Sequence, residues 1–232
     1  MFNRFRAKPE LPEFVRNYLS DKVLTKHSAW RDAQYIVIDV ETTGLDPRRN
    51  VMIDIGAIEI EGGRALISTT WRSKIQPSDG VSISPSSAKI HGLTSGDLRD
   101  AISAEDVMRE LLNKLIGHVV VMHHANIDVG FINRALSKTW GIELHGPIID
   151  TARLAMHLHR TDRWLRGYEA PTMSTQLRSL CEMMGVPVDS EHDALIDSIS
   201  TSQLFLAQAA RLENDAGKLT LRKLIKIGGV IS

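Results

Sequence analysis

Tyr35-Ile36-Val37-Ile38-Asp39-Val40-Glu41-Thr42-Thr43-Gly44 is the stretch on which the reading of this chain turns. Four apolar residues lead into two acids, the pattern of a buried strand with charge at its tip. Alternate strand residues point to the same face, so Asp39 and Glu41 project together, about 6.6–7 Å apart along the strand. Adjacent carboxylates repel, which raises at least one pKa unless cations lie between them. A solvated strand end accounts for the pair taken alone. Oxygen ligation of hard divalent cations accounts for it with a purpose.

Apolar runs on either side predict further strands over Val51–Ile60, Leu66–Ile75, Val119–Met122 and Pro147–Asp150. In Val51–Ile60 the alternation changes phase near Ala57, which predicts burial on both faces or a bulge. Glu61-Gly62-Gly63-Arg64 predicts a hairpin turn. Helical spacing appears from Pro12 to Leu24, from Ser103 (as N-cap) to Leu115, over Val129–Leu136, Thr151–His159, Ser174–Met184 and Asp193–Leu212. Three hairpin-linked strands followed by alternating strands and helices predict an α/β fold on a mixed sheet. Residues 1–33 read as an N-terminal helical extension, 34–212 as the main domain and 213–232 as a C-terminal tail.

Two more acidic segments lie downstream. His123-His124-Ala125-Asn126-Ile127-Asp128 follows the fourth strand, and His192-Asp193-Ala194-Leu195-Ile196-Asp197 opens the last long helix. With Asp39-Val40-Glu41-Thr42-Thr43-Gly44, they match in order the patterns D-x-E-T-T-G, H-N-A-x-F-D and H-x-x-x-x-D. The chain therefore resembles the DEDD superfamily of 3′–5′ exonucleases, in the histidine-containing (DEDDh) branch that includes bacterial DNA polymerase III proofreading subunits, oligoribonuclease and ribonuclease T. The second motif departs twice, with His124 for Asn and Ile127 for an aromatic residue. Ile90-His91-Gly92-Leu93-Thr94 resembles the I-H-G-I-T element often found between the first two motifs.

The resemblance implies a ribonuclease-H-like fold, a five-stranded sheet of order 3-2-1-4-5, and a site at the carboxyl ends of strands one and four. It implies hydrolysis of phosphodiester bonds at the 3′ end of single strands, DNA rather than RNA, with release of nucleoside 5′-monophosphates in proofreading or repair. Trimming of short RNA is the alternative substrate, and a nuclease fold used only to dock a polymerase is the alternative of another class. Asp39, Glu41, Asp128 and Asp197 supply oxygen ligands suited to two Mg²⁺ or Mn²⁺ ions, with Asp39 bridging them by analogy with the family. His192 fits the general base, because imidazole titrates near neutrality.

Residues five apart do not share a helix face, so His192 is expected on the loop before the helix that carries Asp197. Asp193 is the rival ligand on spacing alone, and the family register favours Asp197. Thr42, Thr43, Gly44 and His91 are the expected contacts to the terminal nucleotide, with an ordinary turn and a self-capped loop as the alternatives. His123 and His124 lack zinc spacing and are expected to position Asp128 or the strand by hydrogen bonding. Arg160–Met173 reads as a basic-aromatic stretch, either a solvated insertion or a guide for single strands.

Composition narrows the classes. Lys+Arg 28 against Asp+Glu 28 gives zero formal charge, which argues against a general duplex binder. It leaves room for an enzyme that grips a few terminal nucleotides through metal ions. The single cysteine, Cys181, excludes an internal disulfide framework and reads as a buried thiol. No apolar stretch reaches the length of a membrane span, and residues 1–6 lack the apolar core of a secretory signal. A cytoplasmic protein that makes no membrane contact is expected, with a DNA polymerase as a candidate partner.

Overall fold

Alternation along β1 (Gln34–Thr42) divides the core in two. Ile36, Ile38 and Val40 face one buried cluster, and Tyr35 and Val37 face another. Asp39 and Glu41 continue the phase of Tyr35 and Val37. The computed structural model describes residues 10–21, 28–77, 81, 83–166, 173–188 and 192–230. β1 pairs antiparallel with β2 (Met52–Glu61), which pairs antiparallel with β3 (Arg64–Lys74). On its other side β1 runs parallel to β4 (His118–Met122), and β4 runs parallel to β5 (Ile148–Asp150). A two-residue strand, β6 (Gly229–Val230), closes the edge, giving the order β3-β2-β1-β4-β5-β6.

The first five strands stand in the expected order. The sixth was not expected, because residues 213–232 read as a tail. They instead complete a long helix to Ala216 and form a further helix, Leu221–Gly228, before β6. Leu219, Leu221 and Leu224 are fully buried. The expected hairpin turn is made by Gly62 and Gly63, at φ 58° and 73°, the left-handed pair that a tight two-residue turn requires. The phase change in β2 coincides with a register irregularity between Ala57 and Glu59 against β3.

Helices cover both faces. α1 (Glu13–Ser20), α3 (Ala104–Leu115) and α4 (Asn126–Trp140) lie over the Ile36 and Ile38 side. Val15 and Tyr18 of α1 are buried there, so this part of the N-terminal extension packs on the core. The expected C-terminal end of that helix, residues 22–24, lies outside the described residues. A short helix, α2 (Pro85–His91), was missed by periodicity; Ser84 caps it, with its side chain accepting from the Ser87 backbone N–H. The other face is covered by α5 (Thr151–Arg166), α7 (Ala194–Ala216) and α8 (Leu221–Gly228). α6 (Leu177–Met184) joins a smaller cluster with Cys181, which is fully buried with its thiol pushed up to about 11, first by desolvation. α5 runs past its expected end at His159, so Arg160–Arg166 of the basic-aromatic stretch is helical; residues 167–172 lie outside the described set.

Candidate active site

Three elements deliver the four acids to one place. β1 presents Asp39 and Glu41, on the face that α7 covers. α4 carries Asp128 in its first turn, directly after β4. α7 carries Asp197 in its first turn. Glu41, Asp128 and Asp197 are buried and Asp39 is half-buried. Ligand atoms of Glu41, His192 and Asp197 lie within 4.8 Å of one another, a set that could hold a metal ion.

The electrostatics carry the mark of an anionic cavity. Burial, then Asp128, Asp197, Glu41 and Asp54, push Asp39 well above the usual carboxylate range. Burial, then Glu41 and Asp150, do the same to Asp128. Glu41 is pushed up to about 8, by burial first and then by Asp197, Asp54 and Asp193. Asp128 Oδ2 is buried and has no hydrogen-bond partner among the described residues. An acceptor oxygen left this way costs free energy unless something satisfies it. A divalent cation satisfies the oxygen and the repulsion together, so the donor set fits a metal.

His192 stands on the loop before α7, as its spacing from Asp197 predicts. Its side chain is exposed and its φ is 66°, left-handed for a non-glycine residue. That turn brings its backbone N–H to donate to Asp197 Oδ2 at 2.8 Å. Asp193, the rival on spacing, is engaged elsewhere. Its Oδ1 accepts from the backbone N–H groups of Leu195 and Ile196, capping α7, and its Oδ2 takes Arg72 Nη1 at 2.7 Å.

Arg72 is a residue that the sequence reading missed. Its Nε and Nη2 both donate to Asp54 Oδ2, at 2.9 and 2.6 Å, and Asp54 is fully buried. Asp54 is the cross-strand partner of Glu41 in the β1–β2 register. One guanidinium therefore ties the sheet beneath Glu41 to the capping residue of α7. An acid inside the apolar run Met52–Ile60 was the available signal, because a buried charge requires a partner.

Gly56 is the other omission. It pairs with Asp39 across the strands and lies under the start of α7. A Cβ there would stand 2.3 Å from the Ala194 carbonyl carbon and oxygen and 2.4 Å from the Leu195 nitrogen. Only glycine lets this helix approach the sheet so closely, and a glycine inside a strand pattern is the sequence signal for such an approach.

The proposed nucleotide contacts are placed as follows. Thr42 Oγ1 donates to the Gly44 carbonyl at 2.7 Å, and Thr43 Oγ1 accepts from the Val51 N–H at 3.1 Å. Both hydroxyls thus shape the turn after β1. His91 is buried; its Nε2 lies 2.9 Å from Ser87 Oγ, and its Nδ1 accepts from the Leu93 N–H. Ser87 Oγ in turn lies 3.3 Å from the Thr42 carbonyl. The His91 ring therefore acts inside the protein, bracing α2 against the end of β1.

His123 and His124 make no hydrogen bond to Asp128. Both Nε2 atoms meet the Thr175 carbonyl, at 2.9 and 3.0 Å, and His123 Nδ1 meets Thr151 Oγ1 at 2.7 Å. The His124 N–H donates to Asp150 Oδ1. The pair fastens the segment before α6 to the ends of β4 and β5. Burial and the adjacent His124 push His123 down to about 4, so it stays neutral.

Comparison with known proteins agrees with this geometry. Residues 36–205 match the exonuclease family typified by ribonuclease T. A DNA polymerase III of the PolC type from Thermotoga maritima is 37% identical over 183 residues, 79% of this chain and 12% of that protein. The chain thus spans about an eighth of the length of its PolC-type relatives. The DNA polymerase III subunit epsilon of Aquifex aeolicus is 28% identical over 187 residues, covering 81% of this chain and 86% of that subunit. Among solved structures, the nuclease domain of 3′hExo, a DEDDh family member bound to rAMP, superposes with a TM-score of 0.64 at 17% identity, covering 81% of this chain and 95% of that one. Exonuclease X in complex with 5′ overhanging duplex DNA superposes at 0.58 with 22% identity, covering 83% and 98%. A sheet of order 3-2-1-4-5 with a sixth strand at its edge, acids gathered at the carboxyl ends of β1 and β4, and a family match across most of the chain place this protein in the ribonuclease T exonuclease family.

Proposed function

We propose that the protein is a metal-dependent 3′–5′ exonuclease acting on single-stranded DNA ends and releasing nucleoside 5′-monophosphates. The observation that carries the reading is the convergence of Asp39, Glu41, Asp128, Asp197 and His192, from three elements and the loop before α7, into one partly water-excluded acidic site. All four carboxylates are present, which favours an enzyme over a nuclease fold retained only for docking.

Asp39, Glu41, Asp128 and Asp197 would hold Mg²⁺ or Mn²⁺, two ions in the full site. Bound there, the ions would supply charge stabilisation at the scissile phosphate and lower the pKa of the attacking water. The imidazole of His192, on its exposed loop, takes the proton from that water. Arg72, through Asp54 and Asp193, fixes the start of α7 so that Asp197 and His192 keep their registration with β1. The backbone at Thr42–Gly44, braced through Ser87 and His91, offers a rigid edge to the terminal nucleotide.

DNA is favoured over RNA by the relatives, which are named as DNA polymerase III proteins. The same names support a role beside a polymerase, in proofreading. No helix among the described residues is long and apolar enough to cross a bilayer.

The test uses 5′-labelled single-stranded DNA and RNA of one sequence, with Mg²⁺ or Mn²⁺. The expected result is a ladder that shortens from the 3′ end on DNA and stops with EDTA. Shortening of RNA alone would replace the substrate, and an intact 3′ end on both would refute the activity.

A further inference from the structure

Away from the acidic cavity, α5 and α8 pack side by side and leave an open groove of about 700 Å³. His157, Arg160 and Thr161 line it from α5, and Lys223, Lys226 and Ile227 from α8. Among the described residues its four ionisable groups are all basic, and no carboxylate lines it. This is notable in a chain with 28 acids and 28 lysines and arginines.

The neighbouring cations are paired. Arg211 reaches Asp162 at 3.1 Å and Asp215 at 3.4 Å, and Arg153 stands 4.0 Å from Asp150. The groove's cations are not, among the described residues. Lys223 and Lys226 are exposed and make no ion pair among the described residues, and the Arg160 guanidinium bonds the Met156 carbonyl through Nε alone. The charges feel one another: after burial, Arg160 and Lys223 both push His157 down. A concave surface that concentrates unneutralised positive charge attracts a polyanion.

We propose that this groove is a second anchor for the nucleic-acid strand, binding backbone phosphates of the segment upstream of the 3′ end. The inference rests on the nucleic-acid reading of the acidic cavity. α5 begins at Thr151, next to Asp150, whose carboxylate receives the His124 N–H at the edge of that cavity. At about 1.5 Å per residue, His157 and Arg160 lie roughly 9 and 13 Å further along the helix. At about 3.4 Å per phosphate in a stacked strand, that is on the order of three to four nucleotides. The groove therefore engages strands longer than that and ignores a single nucleotide.

The experiment is K223Q/K226Q in the full chain, both positions being exposed and outside the catalytic machinery. Binding of a 20-nucleotide single-stranded DNA is measured in EDTA across a salt series. Turnover of thymidine 5′-p-nitrophenyl phosphate is measured with Mn²⁺. The expected result is a Kd for the 20-mer raised on the order of tenfold at low salt, with the slope of log Kd against log salt reduced by about 1.4, at roughly 0.7 per lost phosphate contact. Turnover of the nucleoside ester stays at the wild-type value. Wild-type affinity and salt slope in the variant overturn the proposal, as does poly-glutamate competing as well as unlabelled DNA, which would make the groove a site for acidic protein. A wild-type protein that turns over neither ester nor strand, yet binds the 20-mer through these lysines, refutes the proposed activity and leaves the groove standing.

Discussion

Gly56→Ala is the sharpest perturbation the structure offers, because it adds one methyl group and replaces no acid. The new Cβ would stand 2.3 Å from Ala194 backbone atoms, whereas ordinary contact begins at 3.4 Å, a shortfall of about 1.1 Å. The obstructing atoms are backbone at the start of a helix, so no side chain can rotate away. The start of α7 must retreat by about 1 Å, taking Asp197 and His192 from Asp39 and Glu41. A misplacement of about 1 Å in a catalytic constellation costs on the order of 10²-fold in rate. Overpacking of this kind costs roughly 1–3 kcal/mol, or a Tm lower by about 2–12 °C in a chain of this size. The assay is kcat/KM on a 3′-ended single strand with Mn²⁺, beside thermal melting. The expected variant is folded, modestly less stable, and about a hundredfold slower, with weakened metal affinity. Wild-type kcat in Gly56→Ala would refute the claim that close helix–sheet approach sets the site.

Four further outcomes follow from the same geometry. Arg72→Met leaves the buried Asp54 without its cation and should cost about 3 kcal/mol, the low end for a broken buried pair because Arg72 is itself partly solvated; Asp54 can escape by protonation, so denaturant melts should show the penalty smallest in acid and growing as pH rises through its raised pKa. Asp39→Ala should abolish turnover while leaving the metal-free Tm equal or higher, since it relieves repulsion among Asp39, Asp128, Asp197 and Glu41; a clear fall in Tm would show a structural role. His192→Ala should lose on the order of 10²–10⁴-fold in kcat with metal affinity unchanged and activity rising again at high pH; normal kcat would remove it as the base. Glu41, with its folded pKa raised to about 8, favours the metal-free fold below its unfolded value near 4.3, and that contribution is lost as pH rises through about 8. Calorimetric metal titration should show the opposite sign, with affinity increasing from pH 6 to 8 as the carboxylate deprotonates.

Strand phase and helix spacing made much of this legible. The alternation Tyr35–Glu41 placed both acids on one face, the five-residue gap from His192 to Asp197 placed the histidine on a loop, and Gly62-Gly63 announced its turn. Arg72, Gly56 and the role of His91 went unread for one cause: they depend on what lies opposite in space. Asp54 reads as an oddity until Arg72 arrives from the next strand, 18 residues on. Gly56 has no visible purpose until α7 is laid over it. His91 looked available to a ligand, and only the fold reveals Ser87 and the Leu93 N–H on its ring. Residues 213–232 looked like a tail because eight-residue α8 and two-residue β6 are too short for periodicity to declare them.

The central claim is that the four carboxylates exist to hold catalytic metal ions. Its most direct measurement is the number of Mn²⁺ ions bound per chain, counted by electron paramagnetic resonance with a nucleoside monophosphate present. Wild type should bind two ions, and so should His192→Ala, whereas Asp39→Asn should lose at least one together with all turnover. Two ions held at wild-type affinity by Asp39→Asn would contradict the assignment.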